Sequence, residues 1–239
     1  MRGSKARVMV VLSSFAALVL GISPSAAHKT KTGGRYAPTI IPAEFVTKVD
    51  NPYFPLVPGT RLVYHEVEDG KTFVNEITVL PETKSILGVA CTVVHDVLMD
   101  GNTMKEDTYD WYAQDKKGNV WYFGEDTKEF LPNGAVNTEG SWQSGVGKNQ
   151  PGIIMPGHTV PGAPYRQEYG PGHAEDMGQV EAVNQFVSVP AGSFSDCVRT
   201  KEWSLLEAGT ENKWYAKGVG CIKEKGAKTL VTLMSVTKP

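Results

Sequence analysis

The sequence predicts an all-β chain, or a β-rich α+β one, built as an antiparallel meander. Three observations carry that expectation. Short runs of alternating apolar and β-branched residues recur between turn signals such as Asp69-Gly70, Asp100-Gly101, Asn133-Gly134 and Glu139-Gly140. No stretch of a dozen residues holds an apolar period of 3.6. Residues 109–125 place Trp and Tyr on both sides of Lys116-Lys117-Gly118-Asn119, the pattern of an aromatic β-hairpin.

The N-terminus reads as an export signal. Arg2, Lys5 and Arg7 precede an apolar run over 8–22, and Ser25 and Ala27 supply the small residues a signal peptidase reads, so cleavage is expected near Ala27. The protein is therefore expected to be secreted or periplasmic, with no transmembrane segment after cleavage. Losing three basic residues with the leader leaves 21 basic against 26 acidic residues, a charge of −5. A mildly acidic chain argues against nucleic acid as a partner. Residues 28–44, basic and punctuated by Gly and Pro, read as a flexible segment ahead of one domain over 45–239.

Pro52, Pro55 and Pro58 exclude helix at the start of the domain and suggest that Tyr53 and Phe54 plug one end of the sheet. Strands are then expected over 61–68, 73–80, 86–98 and 104–113. A hairpin centred on Lys117-Gly118 sets Trp111 against Gly124, Ala113 against Tyr122, and Tyr112 against Phe123. A sheet apolar on both faces is buried on both, or offers one face to a ligand. That makes Trp111, Tyr112, Trp121 and Tyr122 candidate ligand-binding residues. Asp107, Asp110, Asp115, Glu125, Asp126 and Glu129 crowd the same hairpin. Paired carboxylates beside aromatic rings suit a sugar groove, although Asp115 and Glu125-Asp126 fall at turns.

Residues 140–172 are dense in Gly and Pro and read as a long loop, the sort that carries function or moves. Within it, Tyr165, Arg166 and Glu168 can line a pocket mouth, since residues two apart on a strand share a face. A plain surface ion pair is the alternative. His158, His173, Glu175 and Asp176 offer ligands for a divalent metal, with exposed loop polarity as the alternative. A short helical turn is expected at 172–179, then strands over 178–189, 194–205, 212–225 and 230–236. Folding 194–205 onto 212–225 about Gly209 sets Cys197 against Cys221, at disulfide spacing. A bulge at Gly218-Val219-Gly220 would shift that register, and both cysteines then read as buried small hydrophobes. Cys91 has no partner in this scheme.

Two segments carry a family resemblance: Val189-Pro190-Ala191-Gly192-Ser193-Phe194, and Tyr215-Ala216-Lys217-Gly218-Val219-Gly220 followed by Lys223. They resemble an uncharacterised family of secreted bacterial domains with a V-P-A-G-x-F … Y-x-A-x-G-V-G signature. The segments V-D-N-P-Y-F-P-L-V-P-G-T, D-W-Y-A-Q-D and Q-P-G-I-I-M-P resemble a narrower group of secreted proteins. The resemblance implies a lipoprotein-carrier-like half-barrel or open barrel around an apolar cavity, and it supplies no catalytic residue. Lys217 and Cys221 depart from the small or apolar residues expected there.

The expected function is that of a secreted non-enzymatic domain binding an apolar or amphipathic small molecule, or another exported protein. An exported hydrolase, possibly metal-assisted through the loop histidines and carboxylates, is the alternative, and a structural envelope protein is a third. No G-x-S-x-G, H-E-x-x-H or phosphate loop occurs.

Overall fold

The computed structural model describes residues 36–239. The export signal and its cleavage near Ala27 lie outside the described residues. After a short strand β1 (Phe45–Val46), the chain runs as a long meander: β2 (Arg61–Glu68), β3 (Lys71–Ile86), β4 (Val89–Asp100), β5 (Thr103–Asp115) and β6 (Val120–Phe130). The short strands β7 (Val136–Asn137) and β8 (Trp142–Gln143) pair with β6, as does β9 (Gln150–Met155). Then come β10 (Tyr165–Arg166), β11 (Glu168–Tyr169), β12 (Asp176–Val189), β13 (Gly192–Ser204), β14 (Glu211–Ala216), β15 (Gly220–Lys225) and β16 (Thr229–Thr237). The last strand, β16, pairs antiparallel with β2.

The result is one sheet in the order β10-β12-β13-β14-β15-β16-β2-β3-β4-β5-β6-β9-β11. All of its pairings are antiparallel. The two ends of that order meet. Strands β10 and β11 are separated only by Gln167, and they pair with opposite edges, β10 with β12 and β11 with β9. The sheet thus curls into a nearly closed barrel with one unsealed seam, between β9 and β12. Closure protects the edges of a long antiparallel sheet.

Period-2 alternation sorts the side chains. The main core takes inward residues from nearly every long strand, among them Tyr64, Ile77, Val94, Tyr112, Tyr122, Tyr215, Ile222 and Leu233. Phe54 plugs the barrel as expected, 4% exposed and packed against Tyr112 and Tyr215 with ring centroids 5.3 and 6.4 Å away. A second cluster forms on the outer face from Ile86, Val89, Cys91, Val93, Trp111, Ala113 and Phe123. Ile40 of the N-terminal segment and Phe45 of β1 cover it together with Leu80, Tyr109 and Trp121. Farther up that segment, the Tyr36 hydroxyl donates to the Pro151 carbonyl at 2.9 Å. The described part of residues 28–44 is therefore in contact with the domain.

Three local expectations are corrected. In the aromatic hairpin Trp111 does pair with Gly124, but Tyr112 pairs with Tyr122 and Ala113 with Trp121, because a β-bulge inserts Phe123. Gly124 enables it: its φ is +128°, and a Cβ there would stand 2.2 Å from the Trp142 carbonyl oxygen. Residues 172–179 form no helical turn; a tight turn closed by Gly170 and Ala174 leads directly into β12. Cys197 and Cys221 form no disulfide, and all three cysteines are free and buried. The run 212–225 is itself a hairpin, β14 and β15, turning at Lys217-Gly218-Val219. Cys197 on β13 and Cys221 on β15 are therefore separated by β14, about 10 Å apart, beyond the reach of about 7 Å that a disulfide allows.

Candidate functional site

The aromatic hairpin holds its rings inside packed clusters. Tyr112 and Tyr122 stack inside the barrel with centroids 4.7 Å apart, both 0% exposed. Trp111 is 6% exposed in the outer cluster, with the Lys84 ammonium 3.2 Å from its ring centroid. Trp121 meets the Phe45 ring edge-on and donates its indole N–H to Asp115 at 2.9 Å. The protein's own residues thus cover both faces, which removes the ground for reading Trp111, Tyr112, Trp121 and Tyr122 as a ligand wall. Asp110 and Glu125 do face each other across β5 and β6, but inside the barrel. They do not form an open sugar groove.

One pocket of about 180 Å³ lies between Pro55, Val57, Val219 and Pro239, away from the hairpin, and a roomier one lies at the seam. A pocket of about 280 Å³ opens between β9 and β12 and is lined by Ile153, Pro156, Val160, Ala163, Tyr165 and Val180, with His158 at its edge. Residues 156–163 form one side of it. That loop is tied down at both ends: Gly157 N–H donates to the Asn119 side chain at 2.8 Å, and the Gln179 amide donates to the Gly162 carbonyl at 2.8 Å. Between these anchors Val160 stands 66% exposed. The Tyr165 hydroxyl points the other way, into the barrel, and its oxygen is buried without a hydrogen-bond partner. Burial pushes the Tyr165 phenol up, Glu202 adds to this and Lys213 opposes it.

Below the seam the barrel interior is polar and mostly acidic. Lys213, 1% exposed, meets Glu202 at 3.2 Å, Glu211 at 3.2 Å and Glu224 at 3.4 Å. Burial disfavours its charge, but Glu202, Glu224 and Glu211 outweigh that and hold it well above the usual lysine range. Burial, then Glu211, pushes Glu224 up, with Lys213 opposing. Asp176 is also pushed up by burial, against a Ser204 hydrogen bond and Lys213. Around the barrel, burial raises Asp110 to about 8 although it accepts a 2.6 Å hydrogen bond from Tyr122, and Asp96 is raised by burial and by Asp110.

The four candidate metal ligands do not converge. His158 is exposed at the pocket edge, and His173 packs against Gly170. Glu175 turns outward to Arg166 at 3.2 Å, and Asp176 turns inward toward Ser204 and Lys213. Neighbouring strand residues face opposite ways, so Glu175 and Asp176 cannot share an ion. Among the described residues no three His, Cys, Asp or Glu side chains form a metal-holding group. Arg166 does form the expected ion pair, with Glu175, and lies 4.9 Å over the Tyr169 ring. Glu168 is buried at 2%. Of the candidate ligand-binding residues, Tyr165 alone lines the seam pocket.

Sequence reasoning missed Ile153, Val160, Ala163 and Val180, which come together only through barrel closure. It also missed Lys213. The signal available was opposite charge at matched register, since Lys213 pairs with Glu224 across β14 and β15.

No protein-family model matches the chain, and no curated protein matches its sequence. One solved structure, described as a "putative lipoprotein" from Parabacteroides distasonis, aligns over 78% of this chain and 99% of its own at 13% identity and a TM-score of 0.34. A likeness at that level carries no argument about activity. No helix among the described residues is long and apolar enough to cross a membrane.

Proposed function

We propose that this chain is an exported, non-enzymatic binding domain that takes a small apolar or amphipathic molecule at the seam of its barrel. The observation that carries the reading is the apolar pocket of about 280 Å³ at the one gap in an otherwise continuous sheet. Ligand pockets are concave, mostly apolar and furnished with a few polar groups. The volume is nearly twice the roughly 150 Å³ engineered cavity that binds benzene, so the ligand is a short chain or one to two rings. The anchored loop with exposed Val160 makes a partial cover. Export rests on the basic, apolar and small-residue order of residues 1–27. The V-P-A-G-S-F and Y-A-K-G-V-G segments, through their resemblance to secreted domains, agree with it.

The test is uptake of the neutral fluorophore N-phenyl-1-naphthylamine. One equivalent is expected to bind the protein and to be lost in Val180→Trp, which fills the pocket wall; overpacking at this buried position lowers the melting temperature while the circular-dichroism spectrum stays that of the folded sheet. Absence of uptake by the unaltered protein refutes the proposal.

A further inference from the structure

We propose that the barrel end formed by the β13–β14 loop and the β15–β16 turn docks on an anionic lipid surface. Leu205 and Leu206 enter the bilayer interface, and Lys201, Lys223 and Lys225 face the lipid phosphates. None of these residues lines the seam pocket, so the inference stands apart from whatever binds there.

Residues 205–210 join β13 to β14 and residues 226–228 join β15 to β16, and strand register puts both connections at the same end of the barrel. In the first of them Leu205 is 52% exposed and Leu206 39%. Adjacent exposed leucines keep apolar area in water, and such patches mark protein or membrane contacts. The backbone holds them there. The Leu205 N–H donates to the Glu175 carbonyl at 3.0 Å, and the Leu206 N–H donates to the Ser204 hydroxyl at 3.2 Å. Trp203, the last outward residue of β13, is half-buried just before them. Tryptophan is the side chain that settles at a membrane–water interface. Leu230 of β16, 38% exposed, adds apolar surface across from Lys225.

The sign of the charge behind the leucines decides the occupant. Glu202, Lys213 and Glu224 point into the barrel, so alternation turns Lys201, Trp214, Lys223 and Lys225 outward. Lys201 lies 5.8 Å over the Trp203 ring and Lys223 lies 5.2 Å over the Trp214 ring. Lys201, Asn212 and Lys225 stand in one row across β13, β14 and β15, about 10 Å long. Glu181 neutralises Arg199 at 3.3 Å, and Asp69 and Lys228 neutralise each other at 3.4 Å. Glu207 is the carboxylate of the loop itself, and the three outward lysines outnumber it. This face is therefore basic in a chain that is acidic as a whole. A second copy would set the same lysines against one another. The exposed apolar part is two leucines and portions of Trp203 and Leu230, small against the roughly 800 Å² per partner of a stable protein interface. A bilayer needs no such area: an apolar tip enters the interface and the cations behind it meet anionic headgroups.

The experiment sediments the expected mature chain, from His28 on, with vesicles of phosphatidylcholine alone or of equimolar phosphatidylcholine and phosphatidylglycerol. Partitioning onto the mixed vesicles is expected to be at least about tenfold stronger than onto phosphatidylcholine, with a blue shift of tryptophan emission. Leu205→Ser combined with Leu206→Ser is expected to weaken partitioning by at least about tenfold. Lys201→Gln combined with Lys225→Gln is expected to weaken it by about tenfold on the mixed vesicles and to leave phosphatidylcholine unaffected. None of the four side chains belongs to the buried core, so both variants are expected to keep the parent's circular-dichroism melting curve. Both also retain Lys29, Lys31 and Arg35 ahead of the domain, so a loss in them is a loss at the barrel end. Absence of binding to the mixed vesicles, equal binding to the two kinds, or unchanged partitioning in either variant overturns the assignment. Dimerisation of the unaltered chain that disappears in the leucine pair also overturns it, and gives the tip to a second copy.

Discussion

Replacing Lys213 by methionine tests whether the interior charge network holds the barrel together. The side chain is 1% exposed and its ammonium touches three carboxylates at 3.2, 3.2 and 3.4 Å. At an effective dielectric of about 20, each contact is worth about 5 kcal/mol before other terms. Desolvation of the ammonium takes back several kcal/mol, and repulsion among Glu202, Glu211 and Glu224 takes back more. The net loss from removing one partner of such a buried set is about 3–5 kcal/mol. The loss must also depend on pH. Without Lys213, Glu224, already raised by burial and by Glu211, is pushed further up, and an acid whose folded pKa exceeds its unfolded value stabilises fully below the unfolded value. That stabilisation is lost as pH rises through the folded one. The variant's stability therefore falls with rising pH more steeply than the parent's. If its folded state holds one extra proton across pH 6–8, the deficit shrinks by about 3 kcal/mol on going from pH 8 to pH 6. Urea denaturation followed by tryptophan fluorescence at the two pH values measures this. An equal deficit at both would show that Lys213 acts through packing and would refute the electrostatic account.

The parent protein is itself expected to be more stable at pH 5 than at pH 8, because Asp110 is raised to about 8 and Asp96 and Glu224 are raised with it. Asp110→Asn should flatten that slope by about 1.4 kcal/mol per pH unit, read from melting curves across the range. Gly124→Ala should cost about 3 kcal/mol or more, since it combines positive φ with a backbone clash, and circular-dichroism melting reports it. Phe45→Ala should cost about 1–3 kcal/mol, with amide exchange rising in β5 and β6 first. All three thiols should alkylate in denaturant without reductant, and a mass shift of only one would restore the Cys197–Cys221 bond.

The long strands were legible because alternation and turn chemistry agreed. Residues 61–68 were expected as a strand and are β2, and the turn at Val189-Pro190-Ala191-Gly192 joins β12 to β13. The hairpin within 212–225 was not legible, since Trp214, Ala216, Ile222 and the glycines continue an acceptable strand pattern through the turn. The Phe123 bulge depends on Trp142 approaching Gly124 from a distant part of the chain. The inward carboxylates went unread for another reason. Charged strand residues face water by default, and only their cross-strand partners in the closed barrel reverse that. Tyr165 was found because an aromatic residue in a Gly/Pro loop is an anchor wherever the loop packs. Its pocket neighbours lie on strands that meet only through closure.

Where a ligand can go follows from what fills the barrel. Phe54, Tyr112, Tyr122 and Tyr215 are all buried in the lumen and pack in one cluster. Each contributes about 2–3 kcal/mol by burial, so opening the lumen to an acyl chain would forfeit about 10 kcal/mol, comparable with the roughly 5–15 kcal/mol that holds a whole domain folded. No small ligand returns that much. The outer face of the aromatic hairpin is closed on the same reasoning, because Phe45 and Ile40 already lie on it. Binding without unfolding must use space that exists beforehand. The seam between β9 and β12 has that space, beside an unpaired stretch of strand edge.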